Sequence, residues 1–255
     1  MCLNINNIYE LKDNAILISD VHFNENRQEF EKFLNLIETK QIKTTQIILF
    51  GDIFDLLISQ IKYTIKVNYK IIQQLDDTAK EIEVIYLEGN HDFNLKPIFK
   101  NIKVIPISNQ PLLFKFKKNQ LLFSHGDMNI GLNYKIYLNI IRNRTILFVL
   151  NFVDGKLLKD KIVKSIFIWL KKKNICKEFD TFNSFITKRL KKFKDLSNID
   201  FIVEGHFHQG KSVKFNNLLY VNIPSFACEK SFFIIKSTLE SFSFFKVSVR
   251  SFDVF

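Results

Sequence analysis

The chain has 255 residues, 47% of them hydrophobic, and a net charge of +11, with only seven glycines and four prolines. This is enough apolar material for one large core and too little Gly and Pro for long flexible linkers. No run reaches the roughly 18 uninterrupted apolar residues of a membrane-spanning helix, since the best candidate, Ile136 to Val153, is broken by Arg142 and Arg144.

In chain order, Asn14 to Ser19 is a short apolar run without helical period and reads as a buried strand ending at Asp20. Asn26 to Lys40 places Phe30, Phe33, Leu34 and Ile37 at helical spacing and predicts an amphipathic helix. Gln46 to Phe50 is a second buried strand, Tyr63 to Lys80 a helix, and Glu83 to Leu87 a third strand. This alternation predicts parallel strands with helical crossovers, and ligands in such sheets sit beyond the strands' carboxyl ends. Lys103 to Ser108, Leu112 to Lys117 and Gln120 to Ser124 then read as hairpin strands in a mixed sheet. Thr181 to Lys194 predicts a helix and Asp200 to Glu204 a buried strand. The tail from Lys211 to Phe255 predicts antiparallel strands forming a second sheet.

Composition is uneven along the chain. Between Met128 and Asp195 there are sixteen Lys or Arg against five Asp or Glu, and the remainder carries twenty-one of each. One segment therefore holds the whole excess, which predicts an anionic partner: nucleic acid, a phosphorylated small molecule or an anionic membrane face. Cys2, Cys176 and Cys228 are odd in number and far apart, which predicts reduced thiols rather than a disulfide framework. Met1 to Glu10 lacks the basic start and apolar run of a secretory leader, so a cytoplasmic location is expected.

All five histidines fall in five short segments: Ser19-Asp20-Val21-His22, Gly89-Asn90-His91-Asp92, Ser124-His125-Gly126-Asp127 and Gly205-His206-Phe207-His208, with Gly51-Asp52-Ile53-Phe54-Asp55 completing the set. Each closes a predicted strand. Asp20, His22, Asp52, Asn90, His125, His206 and His208 form a donor set of carboxylate, amide and imidazole without thiolate. That chemistry favours Mn, Fe or Zn over a Cys-rich structural zinc. Seven donors exceed one open catalytic ion and suit two, with one carboxylate shared, an arrangement that makes water a nucleophile at neutral pH.

The ordered set D-x-H, GD-x-x-D, GNHD, HG and GH-x-H resembles the calcineurin-like metallophosphoesterase superfamily over residues 15–230. The resemblance implies an α/β fold in which two mixed β-sheets pack as a sandwich flanked by helices, in four layers. It implies that Asp20, His22 and His208 hold one metal, Asn90, His125 and His206 the other, and that Asp52 bridges them. It further implies that His91, its ring oriented by Asp92, contacts the scissile phosphate and protonates the leaving oxygen. Asp55 and Asp127 are then acceptors for ligand imidazoles.

Residues 128–195 read as a basic and apolar helical lid inserted into a single domain spanning 1–255, with apolar runs at Ile146 to Val153 and Ile162 to Leu170. A lid between the SHGD and GH-x-H blocks, and a Phe/Leu-rich helix directly after D-x-H, are similar to the UDP-2,3-diacylglucosamine pyrophosphatases of lipid A biosynthesis. That resemblance implies Mn as cofactor and metal-hydroxide attack on the α-phosphate, giving UMP and 2,3-diacylglucosamine 1-phosphate. It implies a nucleotide-linked acylated sugar as partner, peripheral attachment to the cytoplasmic face of an anionic inner membrane, and no obligate protein partner or nucleic acid. Asn90, His91, Tyr137, Arg142, Arg144, Lys161 and Lys164 are the expected substrate contacts. The chain departs from that pattern in carrying His91 where those enzymes usually have Arg, and Asn129, Gly131 and Asn133 where their lid begins with acidic residues. Another metallophosphoesterase, such as a nuclease or a dinucleoside polyphosphatase, is the alternative, and a non-catalytic scaffold the remote one.

Overall fold

The structure, a computed structural model, describes residues 8–128, 131–193, 195–239 and 241–252, except the side chains of Leu132 and Lys135. Cys2, Asn129 and Lys194 lie outside the described residues. In chain order the strands are β1 Ile8–Glu10, β2 Ile16–Ile18, β3 Gln46–Leu49, β4 Leu57–Ile58, β5 Glu83–Leu87, β6 Asp92–Phe93, β7 Lys103–Ile105, β8 Leu112–Phe116, β9 Asn119–Ser124, β10 Phe201–Glu204, β11 Ser212–Phe215, β12 Leu218–Asn222, β13 Ser231–Ser237 and β14 Phe242–Ser248. The helices are α1 Glu29–Glu38, α2 Lys62–Thr78, α3 Leu132–Ile141, α4 Arg144–Phe152, α5 Lys161–Lys172, α6 Phe182–Leu190 and α7 Phe226–Glu229, with a π-helical turn at Val153–Leu157 between α4 and α5.

Two six-stranded mixed sheets form, one in the order β14-β13-β2-β3-β5-β7 and the other β1-β8-β9-β10-β12-β11. The central strands β2, β3 and β5 run parallel, Ile16 opposite Ile47 and Ile47 opposite Val84. They are apolar on both faces because both faces are covered. Ile47, Leu49, Val84 and Tyr86 pack with Phe30, Phe33 and Leu34 of α1 and Ile71 and Leu75 of α2. Their neighbours Ile48, Phe50, Ile85 and Leu87 turn the other way, onto Phe114, Phe123, Val203 and Val221 of the second sheet. Beyond that sheet, Leu122 and Ile202 meet Phe182, Ile186 and Leu190 of α6. The result is the four-layer sandwich, α1 and α2 on one side and α6 on the other.

Two expectations about strand pairing are corrected. The run from Lys103 makes no hairpin: β7 joins the first sheet parallel to β5. The tail forms no sheet of its own either. Its first hairpin, β11–β12, extends the second sheet with β12 parallel to β10, and its second, β13–β14, extends the first sheet along β2. Apolar content on both faces of these strands is compatible with either location, so periodicity alone could not divide them. The thiol expectation is also overturned, because the fold brings Cys176 and Cys228 together in a disulfide across 52 residues of sequence. Distance along the chain was no guide to distance in space.

The basic segment between β9 and β10 is divided in its packing. Leu147 of α4 and Val163 and Phe167 of α5 sit on Ile58, Ile61 and Phe93 beside the short β4–β6 pair. The Asp154 carboxylate in the π-helical turn accepts from Ile162 and Val163 N–H at 2.8 and 3.0 Å, satisfying the start of α5. Arg189 of α6 is 2% exposed and pairs with Glu204, which is 1% exposed. The guanidinium also donates to the Gly126 and Met128 carbonyls at 3.1 to 3.2 Å. Arg189→Ala would leave a buried carboxylate without its counter-charge. Unfolding in urea is expected to show a loss of about 3–5 kcal/mol, and a loss under about 1 kcal/mol would contradict this reading of the pair.

Candidate metal centre

Five loops, three at the carboxyl ends of β2, β3 and β5 and two at those of β9 and β10, bring the expected residues together. Three groups of ligand-capable atoms lie within 4.8 Å of one another among the described residues: Asp20, His22 and His208; Asp52, His125 and His206; and His22, Asp52 and His91. Asp52 belongs to two of them. The Asn90 amide oxygen lies 3.2 Å from His125 Nε2, which adds it to the second group. Asp20, His22, Asp52 and His125 are buried, with His125 wholly inaccessible.

The backbone bends sharply to make this possible. Asp20, His22, Asp52, His206 and His208 all have positive φ, between 46° and 64°. Non-glycine residues enter this left-handed region rarely and at about 1–3 kcal/mol each, a cost that gathers at functional sites. Two glycines allow the loops to approach each other. A Cβ on Gly51, which itself has φ +78°, would come within 2.6 Å of His125 Nδ1, and one on Gly205 would collide with Ser19 Oγ and the Asp20 carboxylate.

Partners outside the cluster set which nitrogen of each ring points in. His125 Nδ1 faces the Phe50 carbonyl at 2.6 Å, His208 Nδ1 the Ile175 carbonyl at 2.6 Å, and His91 Nδ1 the Asp55 carbonyl at 2.7 Å. A carbonyl only accepts, so each Nδ1 carries hydrogen and each Nε2 is left as the inward donor. His22 turns Nδ1 toward Asp55 Oδ1, 3.5 Å away, and Nε2 toward His208 Nε2, 3.4 Å away. His206 Nδ1 and His125 Nε2 face each other at 3.2 Å. Nitrogens held face to face beside buried carboxylates are the donor set a pair of divalent cations needs, and the residues fit that cofactor.

Electrostatics agree with the geometry. Burial would raise Asp52, but the surrounding imidazoles His125, His91, His22 and His206 outweigh it and hold the carboxylate far below its ordinary range. Burial favours neutral His125, yet the charges of Asp52, Asp127 and Asp20 push it up to about 9. Burial and the neighbouring His125 charge push His206 down to about 3.

Asp92 has a different role from the one expected. It does not orient His91, whose ring is held by the Asp55 carbonyl. The Asp92 carboxylate accepts from the backbone N–H of Asp52, Ile53, Phe54 and Gly89 at 2.5 to 3.3 Å, and from Tyr86 Oη at 2.5 Å. Burial and the Asp52 charge push it up to about 7, yet every partner is a donor, so the ionised form suits the loop. Asp55 contacts His22 and also receives Arg27 at 2.7 and 2.9 Å and Asn24 at 2.6 Å. Asp127 receives Arg142 at 3.1 Å.

With that geometry in view, the family model for calcineurin-like phosphoesterases matches residues 14–210, the stretch from β2 to just beyond His208. The chain belongs to the calcineurin-like phosphoesterase family. A metal-dependent hydrolase is therefore what the fold and cluster encode. It is 26% identical over 122 residues to the UDP-2,3-diacylglucosamine hydrolase of Coxiella burnetii (strain Dugway 5J108-111), covering 48% of this chain and 50% of that protein. It is 23% identical over 202 residues to the UDP-2,3-diacylglucosamine hydrolase of Wigglesworthia glossinidia brevipalpis, covering 77% of this chain and 80% of that protein. The match thus spans about half the length of the Coxiella relative. Among solved structures, the E. coli phosphoesterase Yfce aligns over 92% of this chain and 98% of its own, at 13% identity and a TM-score of 0.44.

Of the five lid residues expected to meet substrate, this phosphoesterase brings Arg142 to the metal-centre loops, where its guanidinium donates to the Gly89 carbonyl at 2.8 Å as well as to Asp127. Tyr137 is one ring removed, 6.0 Å from Tyr134, which lies 6.3 Å from His206. Lys164 Nζ is bound to the Lys159 carbonyl and lies over the Tyr63 ring. Arg144 and Lys161 face solvent. Sequence reasoning missed Tyr134, whose spacing of one helical turn from Tyr137 was the available signal. It also missed Gln110, whose Oε1 accepts from His125 N–H at 2.8 Å, and no motif marks that residue.

Asp92→Asn would turn an amide NH2 toward groups that only donate. Chemical denaturation is expected to show a loss of about 1–3 kcal/mol, accompanied by weaker binding of divalent metal. An unchanged midpoint would contradict the anchoring role.

Proposed function

We propose that this phosphoesterase hydrolyses UDP-2,3-diacylglucosamine at its α-phosphate, adding water across the diphosphate bridge to give UMP and 2,3-diacylglucosamine 1-phosphate. The observation that carries the reading is a seven-donor cluster centred on Asp52, next to helices that are at once basic and greasy. Phe148, Val149, Ile168 and Trp169 of α4 and α5 are 53% to 67% exposed, and exposed apolar side chains of this kind are what an acyl chain would cover. The names of the Coxiella and Wigglesworthia relatives support the same substrate.

In this reading Asp20, His22 and His208 hold one cation, Asn90, His125 and His206 the other, and Asp52 is shared. Two cations held there, which we assign as Mn, would supply Lewis acidity and lower the pKa of bound water toward neutrality. His91 does the remaining proton work. Its Nδ1–H is committed to the Asp55 carbonyl, so only the imidazolium can offer hydrogen at Nε2, and it delivers that proton to the departing phosphate oxygen. Asn90 and Arg142 stand beside the phosphate position, while Tyr137, Arg144, Lys161 and Lys164 serve the headgroup as α3–α5 settle as a lid.

Purified protein with Mn is expected to release UMP from the acylated substrate. Asp52→Ala and His125→Ala should each lower kcat by at least about 10²–10³-fold while keeping the far-UV circular dichroism of the parent. Wild-type rates in both would refute the shared-carboxylate assignment. The basic excess of residues 128–195 favours a second reading, a nuclease or dinucleoside polyphosphatase. That reading predicts turnover of nucleotides lacking acyl chains, and polynucleotide binding that weakens steeply with salt. Finding both, with no UMP from the lipid, would replace the first reading by the second.

No helix among the described residues is long and apolar enough to cross a membrane. We place the protein on the cytoplasmic face of an anionic inner membrane through α3–α5, whose cations meet headgroups while their exposed apolar residues reach the acyl boundary. Co-sedimentation with phosphatidylglycerol vesicles but not with phosphatidylcholine vesicles is expected. Equal binding to both would contradict the charge argument.

A further inference from the structure

The Cys176–Cys228 disulfide joins the two segments that position the first cation's ligands. Cys176 follows Ile175, whose carbonyl holds His208 Nδ1 at 2.6 Å. The same segment of chain is fastened to the His208 loop twice more, Phe179 N–H donating to Gln209 Oε1 at 2.9 Å and Gln209 Nε2 to the Lys177 carbonyl at 3.1 Å. Cys228 lies in α7, at whose start Ser225 Oγ donates to the Asp20 carbonyl at 3.0 Å and Ala227 N–H to the same carbonyl at 3.1 Å. His208 Nε2 and Asp20 Oδ1 are 3.2 Å apart. The disulfide is therefore a second, covalent connection between the Asp20 and His208 supports. Cys176 is exposed and Cys228 partly so, and a reductant can reach the bond.

We propose that Cys176 and Cys228 form a reversible thiol–disulfide site which, when closed, holds Asp20 and His208 in place for one of the two cations, an inference that rests on the two-cation reading above. A dithiol reductant opens it. One thiolate attacks Cys176 Sγ and expels the Cys228 thiolate, and the second thiol of the reductant then displaces Cys176. Two protein thiols and one disulfide in the reductant result, two electrons and two protons having passed to the protein. Opening frees the 175–179 segment, with the His208 loop it is bound to, from α7 and the Asp20 loop that α7 caps, so the spacing of His208 and Asp20 is no longer covalently fixed, while the loops carrying His125 and Asn90 are untouched. Disulfides in reducing compartments are usually transient and redox-sensing, which suits a bond beside a metal ligand.

The test uses the full chain carrying Cys2→Ser, prepared oxidised or reduced with dithiothreitol and then desalted without air. Free thiols are counted with a chromogenic disulfide under denaturing conditions, and Mn2+ is titrated by equilibrium dialysis and electron paramagnetic resonance. The oxidised protein is expected to show no thiol and to bind two Mn2+ with an exchange-coupled signal. The reduced protein should show two thiols, one Mn2+ site unchanged, the other weakened about 10–100-fold, and an uncoupled signal. Cys176→Ser should behave as the reduced form without any reductant, and if that variant does not fold, the reduced parent carries the test. Two free thiols in the unreduced protein, or equal Mn2+ affinities in both forms, would overturn the proposal. Absence of Mn2+ binding in either form would overturn the two-cation reading itself, and this inference with it.

Discussion

Asp52 is a buried carboxylate surrounded by imidazole nitrogens, and the rest of the molecule is arranged to keep it there. An isolated buried charge costs several kcal/mol, and the imidazoles alone offset that only when some of them carry protons. A pair of cations shared across the carboxylate satisfies the same set of donors without protonation. Asp20, His22 and His208 on one side, and Asp52, His125 and His206 on the other, hold their ligand-capable atoms within 4.8 Å of one another, as such a pair would require. Sites of this kind are functional before they are stabilising, and the surrounding structure carries the cost.

That cost is visible in the backbone and is offset in the layers behind it. Five of the seven metal-centre residues adopt left-handed φ, and Asp92 ties the Asp52 loop to the Gly89 loop through its five donors. Arg189 and Glu204 do similar work on the opposite side, fixing Gly126 behind His125 and Glu204 ahead of His206. Because the strands carrying these loops are apolar on both faces and packed on both, the loop ends have little freedom to relax. A rigid double-sheet core is what allows five separate turns to be held at ligand distance.

Much of this was legible in the residues themselves. Every histidine fell in a motif that closes a strand, and strand ends on one edge of a sandwich are the places where distant segments can meet. What stayed hidden was whatever depends on contacts between loops. Asp92 follows His91 directly and looked like its partner, yet its carboxylate turns inward to the backbone N–H groups of the β3 loop. Cys176 and Cys228 looked unrelated because nothing in their flanks records that α7 caps Asp20 while Ile175 supports His208. The tail strands could not be divided between sheets, since apolar pattern reports burial and not the identity of the neighbour. Arg142 was picked out by its charge in the lid, but the Gly89 carbonyl and Asp127 that it grips are visible only in the fold.

The activity and the shape of the site both depend on two cations sharing Asp52. Crystals grown with Mn2+ and measured at the manganese absorption edge test this most directly. Two anomalous peaks roughly 3.5–4 Å apart, one beside Asp20, His22 and His208 and the other beside Asn90, His125 and His206, with the Asp52 carboxylate between them, are the predicted result. A single peak, or peaks remote from Asp52, would contradict it.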